Sequence, residues 1–163
     1  PSSLSHVALS LLTHAAGLHL ESVLFNGGGP AMQSLVHGQF DVLFLSAPVA
    51  VPLLTAQRLR ALAVTAAEPL PPLAATPLLR QFYPGLVIEN SYALLAPAGT
   101  SQAVITRLNA EVRRALDDAD VRERYAALGL AAVGSTPDIL AQTLRRDVGR
   151  YSGMVRQGLL PLQ

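Results

Sequence analysis

Hydrophobic and polar residues follow two different periods along this chain, and the change of period marks the predicted elements. Apolar residues recur every three or four positions over residues 5–16, which predicts an amphipathic helix that Gly17 ends. Residues 19–25 alternate with a period of two, as is typical of a strand. Continuous apolar runs over 41–45 and 59–65 favour strands that are buried on both faces. Two prolines predict a loop over 46–54.

Helical patterning dominates after residue 101. The first helix there carries one apolar stripe, made by Val104, Ile105, Leu108, Val112 and Leu116. A second helix over 120–128 ends at Gly129, and Thr136 caps a last helix. The residues of that last helix predicted to face inward are Leu140, Leu144, Val148, Tyr151 and Val155. Because buried strands alternate with helices, the fold class is α/β, with a mainly parallel sheet flanked by helices.

A glycine turn joins the predicted strand at 19–25 to a short helix over 30–37. Gly27, Gly28 and Gly29 allow positive φ and bring the backbone close to a ligand, and Pro30 suits the first turn of a helix. Free amides and the helix dipole make this turn a candidate anion site. A glycine-rich connection that binds nothing explains the same residues, and both interpretations stay open.

Composition narrows the classes of protein. Of the 163 residues, 50% are hydrophobic and 14% are charged, so the chain can form a sizeable core rather than a disordered segment. The formal net charge is +1, aromatic residues make up 5% and no run of basic residues occurs, so a nucleic-acid partner is not expected. There is no cysteine, which excludes disulfides and thiolate metal sites. No apolar run reaches the length of a membrane span.

Signatures of catalysis are missing from the sequence. No G-x-S-x-G elbow, Walker sequence or complete G-x-G-x-x-G fingerprint is present. His6 and His14 lie two helical turns apart, but no third ligand follows at metal spacing. Asp117, Asp118 and Asp120 fall at a helix junction, where a capping role explains them. We therefore predict no enzyme, no metal and no cofactor.

Short motifs occur in a fixed order along almost the whole chain. They are a serine-rich stretch before HVA (2–8), AAG (15–17), FNGGGPA (25–31), GQFDVLF (38–44), LRALAVT (59–65), LLAPAGT (94–100), RLNAE (107–111) and VRER (121–124). This order resembles the Bug/TctC family, the substrate-binding proteins of tripartite tricarboxylate transporters. No single motif is decisive, but the ordered set is specific.

The resemblance implies a periplasmic, two-lobed receptor for a small carboxylate, used for uptake or sensing and without catalysis. The fold is then like a type II periplasmic binding protein. Residues 1–92 correspond to the second lobe and 93–163 to the returning C-terminal part of the first lobe, with the N-terminal half and a signal peptide expected upstream. Membrane components of a tripartite transporter are the expected partners. An effector-sensing domain of a regulator, which shares this architecture, is the alternative.

The resemblance also assigns residues to the ligand site. They are Ser2, Ser3, Ser5 and His6 in a serine loop, Gly27, Gly28, Gly29 and Ala31 in the glycine turn, then Asp41, Ser46 and Tyr92. The serines have a second explanation as helix caps, which stays open beside ligand contact. Two departures from the family pattern matter: residues 45–49 lack an acidic group, and Asn26 replaces a lysine. Plain carboxylates are therefore expected rather than amino acids.

Leu94, Leu95 and Ala96 form an apolar segment. If the N-terminal half of the receptor is absent, as the resemblance implies, this segment lacks its neighbours in the sheet. Exposed strand edges pair with other chains. We therefore expect either a self-associated or swapped assembly, or a chain released by proteolysis from a longer one.

Overall fold

The computed structural model describes residues 3–160, so Ser2 lies outside the described residues. Within that range the regular structure consists of α-helices and two 3₁₀ turns, at Pro71–Leu73 and Leu79–Gln81. The helices are α1 (Leu4–Ala16), α2 (Gly28–Val36), α3 (Ala47–Thr55), α4 (Gln102–Asp117), α5 (Ala119–Ala127) and α6 (Pro137–Arg156). None of these helices combines the length and apolar character that crossing a bilayer requires.

Local capping explains the starts of three helices and the end of α1. Ser3 Oγ accepts from the backbone N–H of His6 at the start of α1, and Gly17 ends that helix with a φ of 62°. Asp118 accepts two backbone N–H groups at the start of α5. Thr136 Oγ1 accepts from the N–H of Ile139 at the start of α6. The predicted helices and the capping role of Asp118 are therefore confirmed.

Helix α3 replaces the loop that its prolines predicted. It runs for nine residues, with Pro48 in the first turn and Pro52 inside. Pro48 is tolerated because first-turn N–H groups have no intrahelical acceptor. Pro52 removes one internal hydrogen bond without ending the helix.

The predicted sheet is represented by one isolated parallel bridge between Val64 and Leu78 in the described part of the chain. Val64 N–H donates to the Pro77 carbonyl at 2.9 Å, and Leu79 N–H donates to the Val64 carbonyl at 2.8 Å. On its other side the same segment bonds to Ile88, whose N–H donates to the Thr65 carbonyl at 2.9 Å. These bonds bring three segments together at one point, and a longer parallel sheet stays a prediction.

The hydrophobic core lies between α1, the segment around Leu79–Ile88 and the end of the chain. Its buried members are Ala8, Leu11, Leu79, Leu86, Ile88 and Leu160. Partly buried residues from α6, including Tyr151, Met154 and Val155, pack against it. The far end of α6 thus completes a core begun by α1, although most of the chain separates the two helices.

Helix α6 presents a different face from the predicted one over its first half. Leu144 and Val148 are exposed, whereas Asp147 and Arg150 are half-buried. Tyr151 and Val155 pack on the core as predicted. The prediction for Leu144 and Val148 was wrong because, within α6, the core lies under the last turns alone, from Tyr151 onward.

The surface of the chain is larger than its mass predicts. It exposes 11356 Å², whereas a folded monomer of 17.2 kDa exposes about 7,800 Å². Exposed apolar side chains occur along the whole described chain, and many of them lie within residues 93–150. Those within residues 93–150 include Leu94, Leu95, Val104, Leu108, Val133, Ile139, Leu144 and Val148.

Candidate ligand-binding site

The glycine turn lies at the start of α2 and has open backbone donors. Gly27 is the N-cap residue with a φ of 105°, a conformation that favours glycine, and it offers no side-chain cap. Gly28 and Gly29 are exposed, and no hydrogen bond within residues 3–160 uses their backbone N–H groups. Ala31 is buried and anchors the first turn. The turn therefore presents two adjacent donors at the positive end of a helix dipole.

The serines at the start of α1 have structural roles. Ser3 caps the helix, which confirms the capping interpretation without testing ligand contact. Ser5 Oγ donates to the carbonyl oxygen of Phe44 at 2.8 Å, so α1 is joined to the segment that leads into α3. The Ser5 proton is thus engaged, whereas its oxygen keeps lone pairs for a further donor.

Ser46 lies two residues beyond Phe44 and is the N-cap residue of α3. Its side chain makes no capping hydrogen bond, while its carbonyl accepts from Val49 N–H at 3.0 Å and Ala50 N–H at 3.1 Å. The Ser5 bond therefore places the starts of α1 and α3 side by side. Sequence analysis missed the start of α3 as a possible donor group, because the two prolines pointed to a loop.

Asp41 is exposed. It directly follows Phe40, whose ring contacts the ring of Phe25, so an aromatic contact joins the segments before and after α2. The rings of Phe25 and Phe40 lie 5.4 Å apart between centroids, at 45° to one another. This contact holds the chain that enters the glycine turn against the chain that leads to Asp41. In the described range, no hydrogen bond joins the glycine turn to the start of α1. The site residues therefore form two groups, one around Gly27–Ala31 and one around Ser5 and Ser46.

His6 follows Ser5 in α1 but lines a different surface, and Tyr92 lies on an exposed segment. His6 lines a groove of about 560 Å³ between α1 and the following segment, together with His14 and His19. No set of His or acidic residues in the described range could hold a metal ion. Tyr92 is 71% exposed, and its hydroxyl accepts from the side-chain amide of Asn90 at 3.4 Å.

The chemistry available at both groups is hydrogen bonding to an anion rather than acid–base work. Backbone N–H groups and serine hydroxyls bind carboxylates without a fixed positive charge, because several short donors share the negative charge. Asn26, directly before the glycines, adds a neutral side chain rather than a cation.

Comparison with known proteins places this chain in a family. Residues 2–158 match the tripartite tricarboxylate transporter family receptor, TctC. A curated relative, the UPF0065 protein in the tcbD-tcbE intergenic region of Pseudomonas sp. (strain P51), is 32% identical over 152 residues. The match covers 92% of this chain and 45% of that relative.

Two solved structures have the same fold over nearly the whole chain. MatC from Rhodopseudomonas palustris, with bound malate, aligns with a TM-score of 0.84 and 34% identity over 94% of this chain and 53% of its own. A second R. palustris protein, with adipate, aligns with a TM-score of 0.88 and 25% identity, over 94% and 52% of the two chains. The chain spans about half the length of these three proteins. It has the binding-protein fold, and it belongs to the TctC family of tripartite tricarboxylate transporter receptors.

Proposed function

We propose that this chain carries part of the ligand cleft of a periplasmic receptor for a small carboxylate. In this proposal residues 1–92 form one lobe of the receptor and 93–163 return to the other, except that the end of α6 packs on the core that α1 begins. The ligand shifts an equilibrium between open and closed states by contacting both lobes. No step of this function requires catalysis or a cofactor.

The observation that carries the proposal is the pair of open donors at Gly28 and Gly29. Side chains cap the first turns of three helices, from Ser3, Asp118 and Thr136, whereas α2, α3 and α4 have no side-chain cap. The start of α2 has no such acceptor, and the space around both glycines is empty of protein atoms within 4 Å of an added Cβ. A carboxylate oxygen is the natural acceptor for two adjacent amides at a helix start.

The solved relatives support the class of ligand. One binds malate and the other adipate, and both of these ligands are dicarboxylates. Two carboxylates can engage two groups of donors, and this chain offers the amides of the glycine turn and the hydroxyl of Ser46, which makes no capping bond at the start of α3. We therefore expect dicarboxylates to bind more tightly than monocarboxylates of equal length.

Membership of the TctC family supports a proposal for the place of this receptor in the cell. The ligand is captured in the periplasm and delivered to the membrane components of a tripartite transporter for uptake, rather than sensed by a regulator. Deleting the gene should abolish uptake of the bound carboxylate. Transcription that responds to the ligand while uptake stays normal would favour sensing.

Gly28→Pro tests the ligand site by removing a single donor. Proline is favourable at the first position of a helix and lacks an N–H, so α2 should stay intact while one amide is lost. Removing a hydrogen bond to a charged group costs about 1.5–3 kcal/mol, so the Kd for malate or adipate should rise about tenfold or more. Isothermal calorimetry with mono-, di- and tricarboxylates measures this.

Gln102→Pro is the matched control, because Gln102 holds the same first position in α4, away from the glycine turn. It should leave every Kd unchanged. Gly28→Ala keeps the N–H and should bind nearly normally. Absence of binding across the panel by the wild-type protein, or equal weakening by both proline variants, would contradict the proposal.

We also propose that this chain self-associates. It exposes about 3,500 Å² more than a compact monomer of its mass. A stable obligate dimer buries about 1,000–2,500 Å² on each partner, so a second copy can cover a large part of the excess. The exposed apolar residues of 93–150 form the contact surface in this proposal.

A further inference from the structure

The segment at residues 86–89 is held from two sides just before the predicted crossing between the lobes. Leu86 and Ile88 are 3% and 4% exposed, which anchors alternate side chains of the segment in the core. On one side, Thr65 Oγ1 donates to the Ile88 carbonyl at 2.7 Å, and Ile88 N–H donates back to the Thr65 carbonyl at 2.9 Å. Glu89 adds a third bond by accepting the backbone N–H of Ala67 at 3.0 Å.

Arg150 holds the other side. Its guanidinium Nη2 donates to the carbonyl oxygen of Val87 at 2.7 Å, across 63 residues of sequence. The guanidinium carbon also lies 5.8 Å from the ring centroid of Tyr151, which packs on the core. A charged donor on a backbone carbonyl makes a stronger bond than a neutral pair. Arg150 forms no ion pair within the described residues, so this carbonyl is its principal partner there.

Arg150 lies on α6 between exposed residues and residues that pack on the core. Before it, Leu144 and Val148 are exposed, and after it Met154 and Val155 pack on the core. Arg150 therefore lies where the helix passes from the open half to the packed half of the chain. Beyond Glu89, in contrast, Tyr92 and the apolar residues that follow are exposed.

We propose that Arg150 is a positioning residue that fixes the point at which the rigid lobe ends and the crossing segment begins. This inference rests on the proposed two-lobed receptor function. In such receptors a few residues absorb the closing motion, and the place where the fixed backbone ends determines which residues those are. The bond to Val87 links two passages of the chain, α6 and the 86–89 segment. Losing it extends the mobile part of the crossing and weakens the closed state.

Hydrogen exchange tests this without any ligand. Arg150→Met keeps the apolar stem and removes every donor, so amides in peptides covering 86–92 should exchange at least about fivefold faster. Amides of α1 should keep their protection. Arg150→Lys retains one donor and should restore part of the protection. Arg146→Met is the matched control, because Arg146 lies one turn earlier on α6, is exposed and contacts only Asp147 among acidic groups in the described range.

Unchanged exchange at 86–92 in Arg150→Met would overturn the proposal. So would an equal loss of protection in α1, because that would show a general contribution to stability. If Arg150→Met fails to fold, Arg150→Lys decides the question: intermediate exchange confined to 86–92 supports the assignment, and wild-type exchange there opposes it.

Ligand kinetics then test the link to closure, with malate and adipate as probes. Arg150→Met should raise the dissociation rate about fivefold or more while the association rate stays near that of the wild type. An unchanged dissociation rate, with binding otherwise intact, would overturn the role in closure. If the wild-type protein binds neither probe, the proposed ligand class fails, and the exchange measurement still decides the positioning role of Arg150.

Discussion

Two regions of this chain contain helices with apolar side chains, which are buried in one region and exposed in the other. The packed region consists of α1, residues 63–65, residues 78–88 and residues 151–160, and six of its buried side chains form one cluster. The open region, residues 93–150, holds α4, α5 and the first half of α6, and many of its apolar side chains are exposed. Leu11 of α1 is 8% exposed, whereas Leu144 of α6 is 49% exposed.

The difference shows that an apolar stripe does not by itself decide what a helix packs against. Helix α4 has a clear apolar stripe, yet Val104, Leu108 and Val112 all remain exposed. The packed region is held by bonds between distant segments, such as Ser5 to Phe44 and Arg150 to Val87. The open region has one such bond, from Asn109 to the carbonyl of Ser135, 26 residues away, beside local contacts such as the ion pair of Arg114 with Glu111.

The largest effect is expected when one leucine in each region is replaced by alanine. Leu11→Ala removes buried methyl groups and leaves a cavity, so the free energy of unfolding should fall by about 2–5 kcal/mol. Leu144→Ala, in an exposed helical position, should change it by less than about 0.5 kcal/mol. Urea denaturation followed by circular dichroism measures both. Equal losses would mean that the open region is packed in solution.

Self-association gives the next largest effect. Leu95→Asp places a charge on the open region and should weaken association at least about tenfold, which corresponds to about 1.4 kcal/mol. Thr106→Asp, on an exposed polar position of α4, is the control and should leave association unchanged. Size-exclusion chromatography with light scattering measures the mass. A stable monomer for the wild-type chain would refute the proposed assembly.

A smaller effect is expected where a serine joins two segments of the packed region. Ser5→Ala removes the bond to the Phe44 carbonyl and should cost about 1 kcal/mol of unfolding free energy. Ser101→Ala is its counterpart in the open region, where the N-cap side chain makes no capping bond, and should cost a few tenths at most. Thermal or urea unfolding compares the two. A larger loss at Ser101 would reverse the comparison.

The smallest effect concerns the surface ion pairs of the open region. Arg114 pairs with Glu111, and Arg122 pairs with Asp117, all with exposed side chains. Such pairs contribute about 0–1 kcal/mol and are screened by salt. Glu111→Gln should therefore change the unfolding free energy by a few tenths of a kcal/mol at low salt and by less at 1 M NaCl. A change above about 1 kcal/mol would show that the pair is part of a buried network.

Sequence analysis predicted the local parts of the site and missed its connections. Gly27 and its helix were recognised from composition, because positive φ and a missing side chain are properties of a single residue type. The engagement of Ser5 with Phe44 could not be predicted, since 39 residues separate them. The start of α3 was missed because prolines usually mark loops, whereas here one proline occupies a first turn.

Helix ends and family membership were determined by the sequence alone. The caps Ser3, Asp118 and Thr136 act on backbone groups within three residues, so neighbouring residues decide where a helix begins. The order of motifs was enough to identify the receptor family.

Only the tertiary structure decided which faces are covered. It turned Leu144 and Val148 of α6 outward and joined Arg150 to the carbonyl of Val87. Burial depends on which distant segments meet. Bringing them together costs chain entropy, and the packing that offsets this cost cannot be seen in any local sequence pattern. The periodicity of a helix therefore shows that it has an apolar face, and the packing of the whole chain shows what that face contacts.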